Sequence, residues 1–376
     1  MAEYLTNDAD LKKVADAIRT KGGTSAVLSY PDEYVSAINA ITTGTELKIV
    51  VSVTSGAVVT ATKGSNTVSG TSVNGVCTLV VPEPGTWSVK ATLGGQTSGT
   101  ENVSVVDSYA VTISFVSSTL NNNEWSVIKS ASDAGQGANY WSIGDRKAVT
   151  LNGTVGNLSL SNVTTYAFII GFNHNASAEG ANRIHFQLAK TALSGGTDVC
   201  LCDSAYLSDV SITGYFSMNG SRTNSGGWAN SQMRTNICGT SLSSYSRTII
   251  AVIPAALRAV LKSVTKYTDN TGNGSAAANA VTATTDYFFL LSEYEVFGSI
   301  SYANSNESSK QAQYAYYSAG NSKIKYKHDG TSTAANWWLR SPRAGASAIF
   351  VFVRTDGTVN VFTAIDSLGF APGFCV

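Results

Sequence analysis

Asn336-Trp337-Trp338-Leu339-Arg340-Ser341-Pro342 opens the C-terminal part of this chain, and Gly369-Phe370-Ala371-Pro372-Gly373-Phe374-Cys375-Val376 closes it. Both ends read as framework: bulky aromatics, one Arg, and Pro and Gly to set the backbone. Trp338, Arg340, Pro372 and Phe374 are therefore expected to be buried or hydrogen-bonded. Between them the sequence alternates, with Ile349, Val351 and Val353 on one parity and Phe350, Phe352 and Arg354 on the other. A strand apolar on both faces is either buried on both sides or offers one face to a partner. Asp356-Gly357 then predicts a hairpin turn into Thr358 to Ala364.

Further stretches belong with this frame: Tyr140 to Asp145, Trp228 to Cys238, Pro254 to Tyr267, and Leu291-Ser292-Glu293-Tyr294-Glu295-Val296-Phe297-Gly298. With the Trp-Trp-Leu-Arg-Ser-Pro segment and the Gly-Phe-Ala-Pro-Gly-Phe-Cys terminus, the region 117–376 resembles the C-type-lectin-fold domains of phages and prophages. Those domains are related in fold to formylglycine-generating enzymes. Some relatives are the variable proteins of diversity-generating retroelements, whose C-terminal codons are mutagenised to make new ligand-binding surfaces. Residues 343–368 contain no Lys, Glu, Gln, Met or Trp. Those five types are the ones a mutagenised Asn codon ending in a pyrimidine cannot encode.

The chain has 376 residues, enough for two or three domains. Charge is balanced and only 13% of residues are charged, so no electrostatic footprint for nucleic acid or an anionic membrane is present. Abundant Gly, Ser, Thr and Asn suit a β-rich protein with many turns. No apolar run reaches membrane-spanning length, and Met1-Ala2-Glu3-Tyr4 does not open like a secretory leader. Synthesis in a bacterial cytoplasm, without membrane insertion, is expected.

In chain order, residues 1–43 read as a helical attachment or oligomerisation segment. Leu11, Val14, Ala15 and Ile18 share one face, Thr6 or Asn7 caps the start, and Gly22-Gly23 stops it. Pro31-Asp32-Glu33 opens a second helix carrying Tyr34, Val35, Ile38 and Ile41. This wording resembles the N-terminal segment of phage tail-associated proteins. Residues 44–116 read as short strands separated by Lys63 to Asn66, Asn74-Gly75, Pro82 to Gly85 and Gly94-Gly95, a small immunoglobulin-like β-sandwich spacer with Trp87 in its core. In 117–376 the expected strands are Trp125 to Lys129, Lys147 to Leu151, Tyr166 to Phe172, Ile249 to Ile253 and Phe288 to Leu291. Residues 227–238, a long helix from Pro254 bearing Leu257, Val260, Leu261 and Val264, and Gln311 to Tyr317 read as helical. Ser292 and Glu295 form a capping box. Residues 174–186, 203–226 and 268–284 read as long loops.

Little in the sequence speaks for catalysis. His174, His185 and His328 lack metal-ligand spacing and neighbour no nucleophile motif. Five cysteines, Cys77, Cys200, Cys202, Cys238 and Cys375, form no disulfide framework, and a lone Cys200-Leu201-Cys202 is a weak metal signal. Cys375 is expected beneath the hairpin. Glu293 and Glu295 do not face each other on a helix, so capping and solvation are their expected roles. The expected protein is no enzyme, has no cofactor and holds no metal.

Recognition remains. The resemblance implies a phage tail-tip receptor-binding protein. It would be a multi-domain, β-rich chain with a short helical segment, the spacer, and an α+β C-type-lectin fold. Expected partners are a host cell-surface protein or glycan, other tail components, and two further copies in a homotrimer in the virion. Its ligand-binding residues are expected to be Arg343, Ala344, Ala346, Ser347, Ile349, Phe350, Phe352, Arg354, Thr355, Asn360, Phe362, Thr363 and Ile365. The parity of Phe350, Phe352 and Arg354 is expected to face solvent. The rival readings are a decoration protein of the virion and a formylglycine-generating type of oxidase.

Overall fold

The computed structural model describes residues 8–22, 26–40, 46–113, 115–211 and 213–376. The chain divides into two compact units, Met1–Phe115 and Val116–Val376. It is β-rich, with 37% strand against 21% helix. The expected boundary at 43/44 lies outside the described residues, as do the caps at Thr6 and Asn7 and the side chain of Ile41.

The first unit begins with α1 (Asp8–Gly22) and α2 (Asp32–Ala40). Acidic residues in the first turn of each favour the helix dipole. Ala15, Ile18 and Tyr34 are buried between the helices, and the Tyr34 hydroxyl donates to the Leu11 carbonyl at 2.6 Å. Val14, Val35 and Ile38, expected on the buried stripe, are about half exposed. Two short helices bury only the residues along their line of contact, and these three lie beside that line.

Eight strands follow: β1 (Lys48–Ser52), β2 (Val58–Lys63), β3 (Asn66–Thr71), β4 (Val76–Val80), β5 (Gly85–Leu93), β6 (Gln96–Thr97), β7 (Glu101–Val105) and β8 (Ser108–Thr112). One sheet has the order β4-β1-β8, with β8 parallel to β1. The other runs β3-β2-β5-β6, with β7 also on β5. Alternate residues of both sheets share one core: Ile49, Val51, Leu79, Val59, Ala61, Trp87, Val89 and Val103. Trp87 is fully buried and donates to the Glu83 carbonyl, so the Pro82 to Gly85 turn is tied to the core.

The second unit opens with α3 (Trp125–Asp133), α4 (Gly137–Tyr140), β9 (Arg146–Val155), β10 (Leu158–Phe172), α5 (Ala176–Glu179), β11 (Ile184–Lys190) and β12 (Val199–Cys200). One wide turn of π-helix (Met233–Cys238), α6 (Ile249–Val252), α7 (Ala255–Arg258), β13 (Val264–Asp269), β14 (Val281–Asp286), β15 (Phe288–Phe289), α8 (Glu293–Phe297) and α9 (Ala315–Ser318) continue it. The last strands are β16 (Lys325–Lys327), β17 (Gly330–Ala335), β18 (Trp337–Pro342), β19 (Ile349–Val353), β20 (Val359–Thr363) and β21 (Gly373–Cys375). The main sheet has the order β15-β21-β11-β10-β9, and β18-β19-β20 form a separate sheet. One large apolar core runs through the unit.

Several expectations are corrected here. Trp125 to Lys129 is helical: Trp125, Ile128, Ala131 and Ser132 are the buried positions, a helical spacing that a five-residue window hides. Ile249 to Val252 is also a helical turn, because a four-residue apolar run fits either structure. The helix after Pro254 stops at Arg258. The Lys262 amide instead donates to the Cys375 carbonyl, a single bridge to β21, and Val264 begins β13, which pairs with β14. The loops expected at 174–186 and 268–284 contain α5 and parts of β11, β13 and β14. Cys375 lies in β21, paired with His185 of β11.

Candidate functional site

The Ser292 to Glu295 capping box forms as expected: Ser292 Oγ accepts from the Glu295 amide at 3.1 Å, and Glu295 Oε2 accepts from the Ser292 amide at 3.0 Å. Glu295 is not solvated, however. It is fully buried, and its other carboxylate oxygen accepts from Arg340 Nη2 at 2.8 Å and from Lys266 Nζ at 3.0 Å. Arg340, on β18, also donates to the Leu290 carbonyl at 2.8 Å and to Thr268 Oγ1 at 2.7 Å. Lys266 donates further to Glu179 at 2.8 Å and to the Tyr314 hydroxyl at 2.7 Å. Tyr314 stacks on His174 at 3.7 Å between ring centres and lies 3.1 Å from His185 Nδ1. Glu293 is buried too, accepting from the backbone of Ser301 and Ala303.

The candidate metal ligands His174, Glu179 and Glu295 converge within 4.8 Å. Two observations weigh against an ion there. Lys266 already bridges both carboxylates, and Arg340 neutralises the second charge. A divalent ion would stand beside an ammonium group in a buried, low-dielectric core. The network therefore holds elements together: α5, β11, β13, α8 and β18 all contribute to it. Its members come from six separate segments, so no spacing in the sequence announces it. The Ser-x-x-Glu box is its one local signal.

The network also sets a pH response. Burial, followed by the charge of Lys266, pushes His174 down to about 3 and His185 well below its ordinary value. Each histidine is neutral when folded and takes up a proton on unfolding below about 6.5, so its contribution is present above that pH and lost as pH falls. Burial pushes Glu179 and Glu307 up to about 7, so each releases a proton on unfolding between about 4.5 and 7, which is the opposite sign. Burial alone would raise Glu295, but Arg340 and Lys266 hold it well below its ordinary value. Between about 4.5 and 6.5 the two pairs oppose each other and stability should be nearly flat. Below about 4.5 the raised glutamates no longer counter the histidines, Glu295 becomes a third group that takes up a proton on unfolding, and stability should fall by roughly 4 kcal/mol per pH unit. Urea midpoints at stepped pH measure this; a steady slope from pH 7 downward would contradict it.

The thirteen residues expected to bind ligand divide. Phe350, Phe352 and Ile365 are buried, so the expected parity does not face solvent. The reason is that both parities of β19 belong to the core of the unit: Val351 and Val353 are buried as well as Phe350 and Phe352, and Phe352 lies edge-on to Trp338 and Phe362 on its own face. Both faces of β19 are covered, and exposure moves to its ends and to β20. Arg354, Thr355, Ser347 and Phe362 are exposed; Arg343, Ala344, Ala346, Ile349, Asn360 and Thr363 are half-buried. The backbone of the 343–348 loop is held in place although its side chains are exposed or half-buried. The buried Asn224 donates to the carbonyls of Ala346 and Ile349, and the Gly345 amide donates to Gly274. Gly272, at φ +62°, has the Asn224 carbonyl where a Cβ would stand, so only glycine permits this clasp. Trp338, Arg340, Pro372 and Phe374 are buried as the frame requires. Cys200 and Cys202 are buried thiols with their sulfurs 3.8 Å apart.

Residues 202–376 match a family described as a domain of unknown function (DUF6273). That span contains the hairpin, Lys266, Glu295, Tyr314 and Arg340, but not His174, Glu179 or His185. No curated protein and no solved structure matches the chain.

Proposed function

We propose that this chain is a phage tail-tip receptor-binding protein whose ligand surface is the outer part of the C-terminal hairpin. In this reading residues 1–43 attach to the tail or trimerise, the sandwich is an immunoglobulin-like spacer, and residues 117–376 form a C-type-lectin fold. The observation that carries it is the division within the hairpin: β19 is buried on both faces, whereas Ser347, Arg354, Thr355 and Phe362 are exposed on anchored backbone. Side chains there can change without disturbing the core, which diversification at this end of the chain requires. Arg and aromatic residues are also the types that dominate protein interfaces. The converging titratable groups are all buried, which favours a binding protein over an enzyme.

Phe362→Ala and Arg354→Ala should each weaken attachment of the full chain to host cells by more than ~1 kcal/mol, with little change in melting temperature. Phe350→Ala and Phe352→Ala should lower the melting temperature instead. Attachment that survives the double Arg354/Phe362 change would place the ligand surface elsewhere.

A further inference from the structure

β20 is the outer strand of its sheet, and among the described residues no strand pairs with its far side. Its register against β19 shows which backbone groups are free. The Arg354 amide donates to the Thr358 carbonyl and the Ala364 amide to the Ala348 carbonyl. The alternation of an antiparallel ladder then makes Asn360 and Phe362 the residues bonded to β19. Val359, Val361 and Thr363 turn their amides and carbonyls outward. Of these groups, the Val361 amide is met by its neighbour Asn360 Oδ1 at 2.8 Å, and the Thr363 carbonyl accepts from the Asp366 amide. The Val359 amide and carbonyl, the Val361 carbonyl and the Thr363 amide remain as an open row. Beside this row stands Phe362, 37% exposed, with Val359 and Val361 half-buried on the opposite face.

From this geometry we infer that the ligand is a protein, docked as an extended segment that adds a strand to β20. The inference rests on the display reading above and names the class of its partner. Backbone donors and acceptors repeating about every 7 Å along an edge are matched by another polypeptide, which repeats its own groups at that spacing. A sugar's hydroxyls have no such repeat. The partner is a foreign chain rather than a second copy. Two β20 strands paired antiparallel about Val361 would set two capped amides at the centre of the joint, whereas a foreign strand meets only one. Phe362 then selects among partners by the side chain that lies across it, while the edge itself accepts many sequences. An edge with open backbone groups is normally a hazard; here it serves as the contact.

The test uses the full chain against a displayed library of linear peptides and, separately, a glycan array. Strand addition predicts selected peptides with alternating apolar residues, and slowed exchange of the Val359 and Thr363 amides when such a peptide binds. Val359→Pro removes an outward amide without touching the β19 ladder, so it should weaken peptide binding about tenfold with the hairpin intact. Glycan binding without peptide selection overturns the inference, as does peptide binding that leaves those amides exchanging freely. Self-association abolished by Val359→Pro also overturns it, in favour of a second copy. Cell attachment lost in Phe362→Ala, with edge exchange unchanged on attachment, overturns strand addition while the display reading stands. Attachment indifferent to Phe362 and Arg354 removes both.

Discussion

Arg340→Met should unfold, or come close to unfolding, the second unit. The side chain is fully buried, and its guanidinium serves Glu295, the Leu290 carbonyl and Thr268 at once. Removing one partner of a buried ion pair costs roughly 3–5 kcal/mol, because the other charge stays in the core. Each orphaned acceptor adds about 1–3 kcal/mol. Lys266 offsets part of this, since it still faces Glu295. Against a total stability of about 5–15 kcal/mol, the loss is decisive. Adding Glu295→Gln, which removes the stranded charge but keeps a capping acceptor, should recover part of it. Urea unfolding followed by tryptophan fluorescence makes the comparison. A single Arg340→Met protein with the parent midpoint would show that Lys266 alone neutralises Glu295.

Trp338→Ala should cost about 3–5 kcal/mol. The indole is fully buried, lies edge-on to Phe352 and donates to the Phe216 carbonyl at 2.9 Å. Truncation therefore opens a cavity and also strands a buried acceptor. The contrast with Phe362 is the informative part: Phe362 touches the same Phe352 from the solvent side, and its loss should cost far less. Equal falls in melting temperature for the two changes would mean that the hairpin has no separable outer layer.

Legibility followed locality. The sandwich strands could be read because Asn74-Gly75, Gly94-Gly95 and the Pro82 to Gly85 turn punctuate them. The capping box could be read because both partners lie within one turn. The Trp338 and Arg340 frame was visible in residue type, though not the destination of the guanidinium. What failed was either a short apolar run that fits both elements, as at Trp125 to Lys129 and Ile249 to Ile253, or non-local. Whether Phe350 faces solvent depends on what lies over β19, and nothing in an alternating strand encodes its cover. The stop of the helix at Arg258 depends on Cys375, far along the chain. His174, Glu179, Lys266 and Tyr314 meet only after the sheet and its neighbours are assembled, so beyond the capping box the buried network left no pattern.

The place of β21 in the main sheet has a consequence for the order of assembly. It lies between β15 and β11, so neither has its full set of backbone partners until residues 373–375 arrive. During synthesis the sandwich of the first unit, built from near neighbours in sequence, can close early. The second unit must wait, with β11 and Lys266 already made but not yet enclosed. Such late, long-range pairing is slow, and it leaves apolar edges open in the meantime. Assistance by a chaperone, or rapid capture into a larger assembly, would matter most in that interval.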